Sequence, residues 1–231
     1  MKQPDAALIT GAGSGIGRAI ALALAAEGYA LALVGRRADA LEETRRLCGV
    51  HALCIAADVT APGAVRRCVS EVASALGGLH VLVNNAGFAV NAPIAGHDEQ
   101  NLRAMFDINS LAPAIATSAA WPVFERQRRG CIINISSMAA LDPFPGFFGY
   151  AASKAAVNML TRIAADEGRA IGVRAFALCP GAIETPMLRG LFSREQVPAD
   201  VALAPEAVAR VVCACLRGVH DAENGQAVLV R

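Results

Sequence analysis

Seven short apolar runs recur along the chain, and most are separated by stretches long enough to form a helix. The runs are Ala6–Thr10, Ala30–Gly35, Ala52–Ala56, Leu79–Val83, Cys131–Ile135, Val173–Leu178 and Gln226–Val230. Their apolar character is largely continuous rather than alternating, which predicts strands buried on both faces, as in a parallel sheet. Ile16–Glu27, Asp39–Leu47, Pro62–Leu76, Asp98–Arg128, Ala151–Arg169 and Pro205–Leu216 have the length and mixed polarity of crossover helices. Right-handed crossovers then give an α/β fold, a Rossmann-like doubly wound parallel sheet of about seven strands with helices on both faces. No linker or repeat divides the 231 residues, so one domain spanning 1–231 is expected.

In such sheets ligands bind beyond the carboxyl ends of the strands. There the sequence places Thr10-Gly11-Ala12-Gly13-Ser14-Gly15-Ile16-Gly17, then Arg36-Arg37, Asp58-Val59, Asn84-Asn85-Ala86-Gly87, Ser136-Ser137 and Pro180-Gly181. Gly11, Gly13, Gly15 and Gly17 occupy a strand-to-helix turn, where missing side chains let the backbone approach a pyrophosphate and the helix N-terminus supplies N–H donors. A glycine-rich turn without a ligand is the plainer reading, and the pattern is T-G-x-x-x-G-x-G rather than G-x-G-x-x-G. Its position between a buried strand and an amphipathic helix favours a nucleotide.

The second strand ends in Arg36-Arg37, about twenty residues past that turn, where an NAD site would offer an acid to the ribose hydroxyls. A guanidinium suits a 2′-phosphate instead, which it pairs bidentately. Two solvated arginines are the alternative, but cations at a helix start oppose the dipole unless an anion visits.

Tyr150 and Lys154 stand four apart in a helix-forming run and so project from one face. A phenol of pKa about 10 is a poor acid–base catalyst at neutral pH, and a neighbouring ammonium favours its ionised form. Alone, the pair describes a surface tyrosine beside a solvated lysine equally well. Ser137 and Asn109 add a hydroxyl and an amide that by themselves are ordinary polar residues.

Together these segments resemble the short-chain dehydrogenase/reductase family over essentially the whole chain. The likeness runs through T-G-x-x-x-G-I-G at Thr10–Gly17, Asp58, N-N-A-G at Asn84–Gly87, Asn109, Ser137, Y-x-x-x-K at Tyr150–Lys154, and P-G followed by Thr185. Ser137 rather than Ser136 matches the family's serine, by its thirteen-residue spacing to Tyr150. The resemblance implies hydride transfer between a nicotinamide and a carbonyl or secondary alcohol, without a metal. It implies that Tyr150 gives the proton, that Lys154 lowers the tyrosine pKa and holds the nicotinamide ribose, that Ser137 orients the carbonyl, and that Asn109 anchors a water relay. The cofactor, NADP(H) by the Arg36-Arg37 argument, would then touch Gly11, Gly13, Ser14, Gly15, Ile16, Gly17, Arg36, Arg37, Asp58, Val59, Asn85, Ala86, Gly87, Tyr150, Lys154, Pro180, Gly181, Ile183 and Thr185. Departures are Phe176 where many members carry Asn, Cys179 before Pro180, a short region between Thr185 and Pro205, and a C-terminus without the family's glycine-containing tail.

A net charge of +1 removes the polyelectrolyte field that would recruit nucleic acid or an anionic membrane. The longest uncharged stretch, Val72–His97, is broken by Gly77, Gly78, Asn84, Asn85, Gly87, Asn91 and Pro93, so no membrane span is expected. Met1-Lys2-Gln3-Pro4-Asp5 leaves no room for a signal peptide before the glycine turn, which points to the cytoplasm. Seven cysteines without a CxxC pair read as reduced packing residues, and four scattered histidines receive no role.

A charged fraction of 18% against a usual value of about 25% fits surface buried between subunits. The expected homodimer or homotetramer would join through Asp98–Arg128 and Ala151–Arg169, with Ala151, Ala152, Ala155, Ala156, Ala164, Ala165 and the run Ile108–Phe124 at the contact. Phe88, Phe144, Phe147, Phe148, Met187, Leu188, Leu191 and Phe192 cluster around the expected site and predict an apolar small-molecule substrate, enclosed by a loop at about 185–205. Arg189 and Arg194 keep a carboxylate or phosphopantetheine substrate open. A protein that senses NADP(H) without turnover is the competing function, and an epimerase or dehydratase is a weaker third.

Overall fold

The computed structural model describes residues 4–231; Met1, Lys2 and Gln3 of the N-terminal expectation lie outside the described residues. The elements run β1 (Ala6–Thr10), α1 (Gly15–Ala26), β2 (Ala30–Gly35), α2 (Ala38–Cys48), β3 (Ala52–Ala56), α3 (Ala64–Ala75), β4 (Val81–Asn84) and α4 (Glu99–Phe106). They continue with α5 (Ala112–Gln127), β5 (Gly130–Ile135), α6 (Phe148–Gly168), β6 (Val173–Pro180), α7 (Pro186–Leu191), α8 (Pro205–Leu216) and β7 (Ala227–Val230). The strands form one parallel sheet in the order β3-β2-β1-β4-β5-β6-β7, and the chain reverses its direction of travel between β1 and β4.

Successive strand residues face opposite layers, so each strand supplies two cores. Ala7 and Ile9 of β1 and Ile133 of β5 pack with Ile20 and Leu24 of α1 and Val208 and Val212 of α8. Leu8 and Ile132 face the other way, onto Val69 and Val72 of α3, Ala116 and Phe124 of α5, and Ala165 of α6. Phe176, in place of the family's asparagine, is fully buried in the first core and pairs in register with Ile133. An apolar ring suits that position because it lies within an apolar core layer beside Ile133.

Several boundaries differ from expectation for local reasons. The fourth strand begins at Val81 rather than Leu79, because the Gln127 side chain accepts from Leu79 N at 3.1 Å and donates to Leu79 O at 2.7 Å, taking the place of a ladder partner. The long helix expected over Asp98–Arg128 is interrupted by one π-turn, Asp107–Leu111, centred on Asn109. Such turns insert a residue and re-aim the side chains around it. Its start is as the sequence implies, with the Asp98 side chain capping Asn101 N at 2.6 Å. The sixth helix begins at Phe148, so Tyr150 lies inside its first turn rather than ahead of it.

The segment 185–205 is not bare loop. Thr185 caps α7 by accepting from Leu188 N at 3.2 Å, and a short bridge between Ile183 and Leu203 closes its base. All seven cysteines are free thiols, although Cys48 and Cys54 are only half-buried. Among the described residues no helix is long and apolar enough to cross a membrane.

Candidate active site

The carboxyl ends of the strands open into a cleft of about 1010 Å³. Its floor on the β1 side is the glycine turn. Gly11 and Gly15 have positive φ, 67° and 53°, a conformation that side-chain-bearing residues rarely adopt. A Cβ on Gly17 would strike the Gly11 carbonyl oxygen, so the third glycine of the pattern serves close packing beneath the turn. Thr10 and Asn85 fasten this turn to the next one. The Thr10 hydroxyl accepts from Asn85 N at 3.0 Å and Ala86 N at 3.1 Å, while Asn85 Nδ2 donates to Thr10 O at 2.8 Å and Gly11 O at 3.2 Å. Arg18 steadies it from behind, donating to Gly13 O at 2.7 Å and to the buried Thr44 hydroxyl at 3.1 Å. The sequence reading assigned no part to Thr10, Arg18 or Thr44 individually, since an Arg-to-Thr contact between two helices leaves no spacing signal.

The cleft brings together nearly every residue singled out above. Gly11, Gly13, Ser14, Gly15 and Ile16 line it from the first turn, and Arg36, Arg37, Asp58 and Val59 from the ends of β2 and β3. Asn85, Ala86 and Gly87 follow β4, Ser137 follows β5, Tyr150 and Lys154 stand on α6, and Pro180, Gly181, Ile183 and Thr185 follow β6. Hydrogen bonds from the Thr60 N–H and hydroxyl hold the Asp58 carboxyl below its usual range, and the Arg36 guanidinium adds to that effect. Neither the Arg36 nor the Arg37 side chain hydrogen-bonds within the described residues, and both are exposed at the cleft rim.

Gly17 and Asn109 are not on the cleft surface. Asn109 is buried behind the wall, where its side chain is fully engaged. Its Oδ1 accepts from Phe88 N at 2.9 Å, and its Nδ2 donates to Phe88 O at 2.8 Å and Ser153 Oγ at 2.9 Å. Ser153 Oγ in turn donates to Tyr150 O at 2.7 Å. The π-turn is thereby tied to the first turn of α6. Ser153 is a supporting residue that only the folded geometry reveals, because a serine inside a helix carries no sequence signal of its own.

Lys154 Nζ lies 5.8 Å from the centre of the Tyr150 ring and donates to Ile135 O at 2.6 Å. Burial pushes the lysine down to about 8, and burial also pushes the Tyr150 phenol up, with a hydrogen bond to Ser137 pulling it back. Ser137 lowers the phenol through its hydrogen bond, while Lys154 Nζ is turned to the Ile135 carbonyl.

The far side of the cleft is apolar: Met138, Phe144, Phe147, Met187, Leu188, Leu191 and Phe192 line it. Phe88 and Phe148 do not. Phe148 turns outward, 53% exposed, with its ring 6.1 Å from that of His97. Arg189 is bonded to Glu184, Ser193 O and Val197 O, so it is unavailable to an anionic ligand.

A doubly wound parallel sheet with a glycine turn at its first strand and a Ser–Tyr–Lys group at the opposite wall defines a dinucleotide-dependent oxidoreductase fold. The profile of the short chain dehydrogenases matches residues 5–196, and the chain belongs to that family. It is 38% identical over 210 residues to the 3-oxoacyl-(acyl-carrier-protein) reductase FabG of Staphylococcus aureus, an alignment covering 88% of this chain and 85% of that one. An uncharacterized oxidoreductase of Staphylococcus epidermidis is 32% identical over 80% of each chain. Among solved structures, a putative short-chain alcohol dehydrogenase of Sinorhizobium meliloti superposes with a TM-score of 0.91 at 29% identity, over 99% of this chain and 95% of that one. Levodione reductase superposes with a TM-score of 0.90 at 28% identity, over 98% and 95%.

Proposed function

We propose that the protein is an NADP(H)-dependent oxidoreductase interconverting an apolar carbonyl compound and its secondary alcohol, with Tyr150 as the general acid and base. The observation that carries this reading is the convergence of Ser137, Tyr150 and Lys154 on one wall of a cleft whose other wall is a glycine cradle. The cradle fits a dinucleotide: two positive-φ glycines expose backbone, and the start of α1 points N–H groups at the turn. Bound there, the nicotinamide supplies or accepts the hydride. The guanidinium groups of Arg36 and Arg37, without hydrogen bonds among the described residues, suit a 2′-phosphate.

In the reduction direction the Ser137 hydroxyl holds the carbonyl oxygen beside Tyr150, and the phenol gives that oxygen its proton. A buried phenol, pushed above its ordinary value, stays protonated through neutral pH and is ready to donate. Lys154 anchors the inner side of the wall through Ile135 O, and its ammonium would hold the nicotinamide ribose of the bound cofactor. Asn109 acts through Ser153, holding the first turn of α6 in place, rather than by presenting its side chain to solvent. Two of the similar proteins, a 3-oxoacyl-(acyl-carrier-protein) reductase and levodione reductase, are reductases by name, in keeping with this direction. The engaged Arg189 favours an uncharged substrate over a carboxylate.

We also propose a homo-oligomer, but through fewer residues than the helix-wide expectation. Ala164, Ala165, Ala112, Ala116 and Phe124 are used up in the subunit core. Phe106, Leu111, Met159, Leu160 and Ile163 remain exposed on α4, the π-turn and α6 and are the surface a second copy would cover.

The test is a panel of ketones, aldehydes and quinones with NADPH and NADH side by side, followed by cofactor fluorescence. Turnover with NADPH at least tenfold more efficient than with NADH is expected. Tight NADPH binding with no turnover across the panel would instead establish the sensor reading.

A further inference from the structure

Phe147 joins three aromatic rings from three different segments. Its ring meets Phe144 edge-on at 4.8 Å and 61°, meets Tyr150 edge-on at 5.3 Å and 66°, and stacks on Phe192 at 6.0 Å and 24°. Phe147 itself is 5% exposed, whereas Phe144 is 52% exposed at the cleft and Phe192, at the end of α7, is half-buried. Standing three residues before Tyr150 at the start of α6, Phe147 shares a helix face with the phenol.

We infer that Phe144, Phe147 and Phe192 form a subsite for a flat apolar ring carried by the carbonyl substrate, and that Phe147 determines the preference for it. The inference rests on the reaction proposed above and names the substrate class it serves. Centre-to-centre distances of 4.8–6.0 Å are those at which edge-to-face and offset rings attract, so the open faces of Phe144 and Phe192 offer a further ring the same geometry. Polar side chains beside this wall are few and largely engaged. Arg189 is bonded to Glu184, Ser193 O and Val197 O, and the Gln196 side-chain oxygen accepts from Ser193 N at 3.0 Å. A hydroxylated ligand would find few replacement partners for its lost water there, whereas an apolar ring needs none. Because Phe147 touches both the stacked Phe192 and the Tyr150 ring, its loss widens the subsite next to the reacting oxygen.

The experiment compares acetophenone with acetone as substrates, and 1-phenylethanol with 2-propanol as calorimetric ligands of the NADPH complex, where neither alcohol can be oxidised. The wild type is expected to favour the ring compound at least 30-fold in kcat/KM and in affinity. Phe147→Leu, which keeps apolar volume but not the ring, should cut that ratio at least tenfold, chiefly through the acetophenone KM, with NADPH affinity unchanged. Phe147→Tyr should restore it. Phe192→Leu should lower the ratio too, and adding it to Phe147→Leu should cost little more, since the two share one stack. Equal losses for both substrates, or no ring preference in the wild type, would overturn the subsite. A wild type that reduces no carbonyl yet still selects 1-phenylethanol in its NADPH complex would keep the subsite and remove the reaction proposed above.

Discussion

The two walls of the cleft are made of different materials. The wall built from the β1 and β4 turns is backbone and short polar side chains, knitted by Thr10, Asn85 and Arg18 into a surface with almost no side-chain relief. The wall built from the segment after β5, the start of α6 and α7 is aromatic and aliphatic, and its shape is the shape of its side chains. A backbone cradle recognises what every member of a cofactor class shares, its phosphates, and tolerates few substitutions because glycines there have no space for a Cβ. An apolar side-chain wall recognises size and flatness and changes with each substitution. Tyr150 and Lys154 stand where the two meet.

The largest effect is expected at that seam. Tyr150→Phe should lower kcat by about 10²–10⁴, the usual worth of a general acid, while NADPH affinity measured by fluorescence stays within about threefold. Near-normal turnover would move the proton donor elsewhere and dissolve the division of labour between the walls.

Arg36→Ala tests the outer end of the cofactor wall. Losing a charge-assisted phosphate contact of about 1.5–3 kcal/mol should weaken NADPH binding roughly 10- to 100-fold, and NADH binding hardly at all. Equal weakening of both would mean that Arg36 does not meet a 2′-phosphate.

Lys154 offers a test in stability rather than rate. Its folded pKa, about 8, lies below the ordinary 10.5. From about pH 8 to 10.5 the unfolded chain therefore binds a proton that the folded one lacks, and the lysine's contribution to stability improves as pH rises through that window. Below pH 8 its cost is fully present. Lys154→Met should be catalytically impaired yet more stable than the wild type at pH 7, by on the order of 1–3 kcal/mol. The gap in thermal midpoint should shrink by pH 10. A gap that is absent at pH 7, or that widens with pH, would show that the pocket accommodates the ammonium without penalty.

The smallest effect is expected outside the cleft, where the exposed Met159, Leu160 and Ile163 lie on α6 behind the catalytic face. Ile163→Glu should lower the mass measured by light scattering to that of a smaller assembly, with only a modest change in kcat. An unaltered mass would assign the interface to another face.

The fold was legible because its evidence is local and redundant. Seven apolar runs at strand length, most separated by helix-length segments, admit few arrangements, and the observed strand order is the one that right-handed crossovers give. Where expectation failed, a long-range contact was responsible: the Gln127 amide replaces the ladder at Leu79, and one π-turn breaks a helix that its composition would have continued. The glycine side of the cleft was equally legible as a region, since the glycines and Arg36-Arg37 expected at the strand ends line it. The expected aromatic wall was right as a region but only partly right by residue, because neither Phe88 nor Phe148 lines the cleft. Adjacent residues on a helix point about 100° apart, and nothing in a list of phenylalanines says which will turn inward.

By itself the sequence determined the parallel sheet, because apolar runs of strand length alternate with helix-length segments, whereas Asn109, Ser137, Tyr150 and Lys154 stood out only through the resemblance to a family. Only the tertiary structure decided that Asn109 stands behind the wall bonded to Ser153, that Ser137 hydrogen-bonds the phenol, that Arg189 is engaged by Glu184, and that Phe147 joins three rings. Each of those depends on how deeply a group is buried and on which distant group reaches it. Burial and long-range contact arise when layers pack, and no spacing along the chain encodes them.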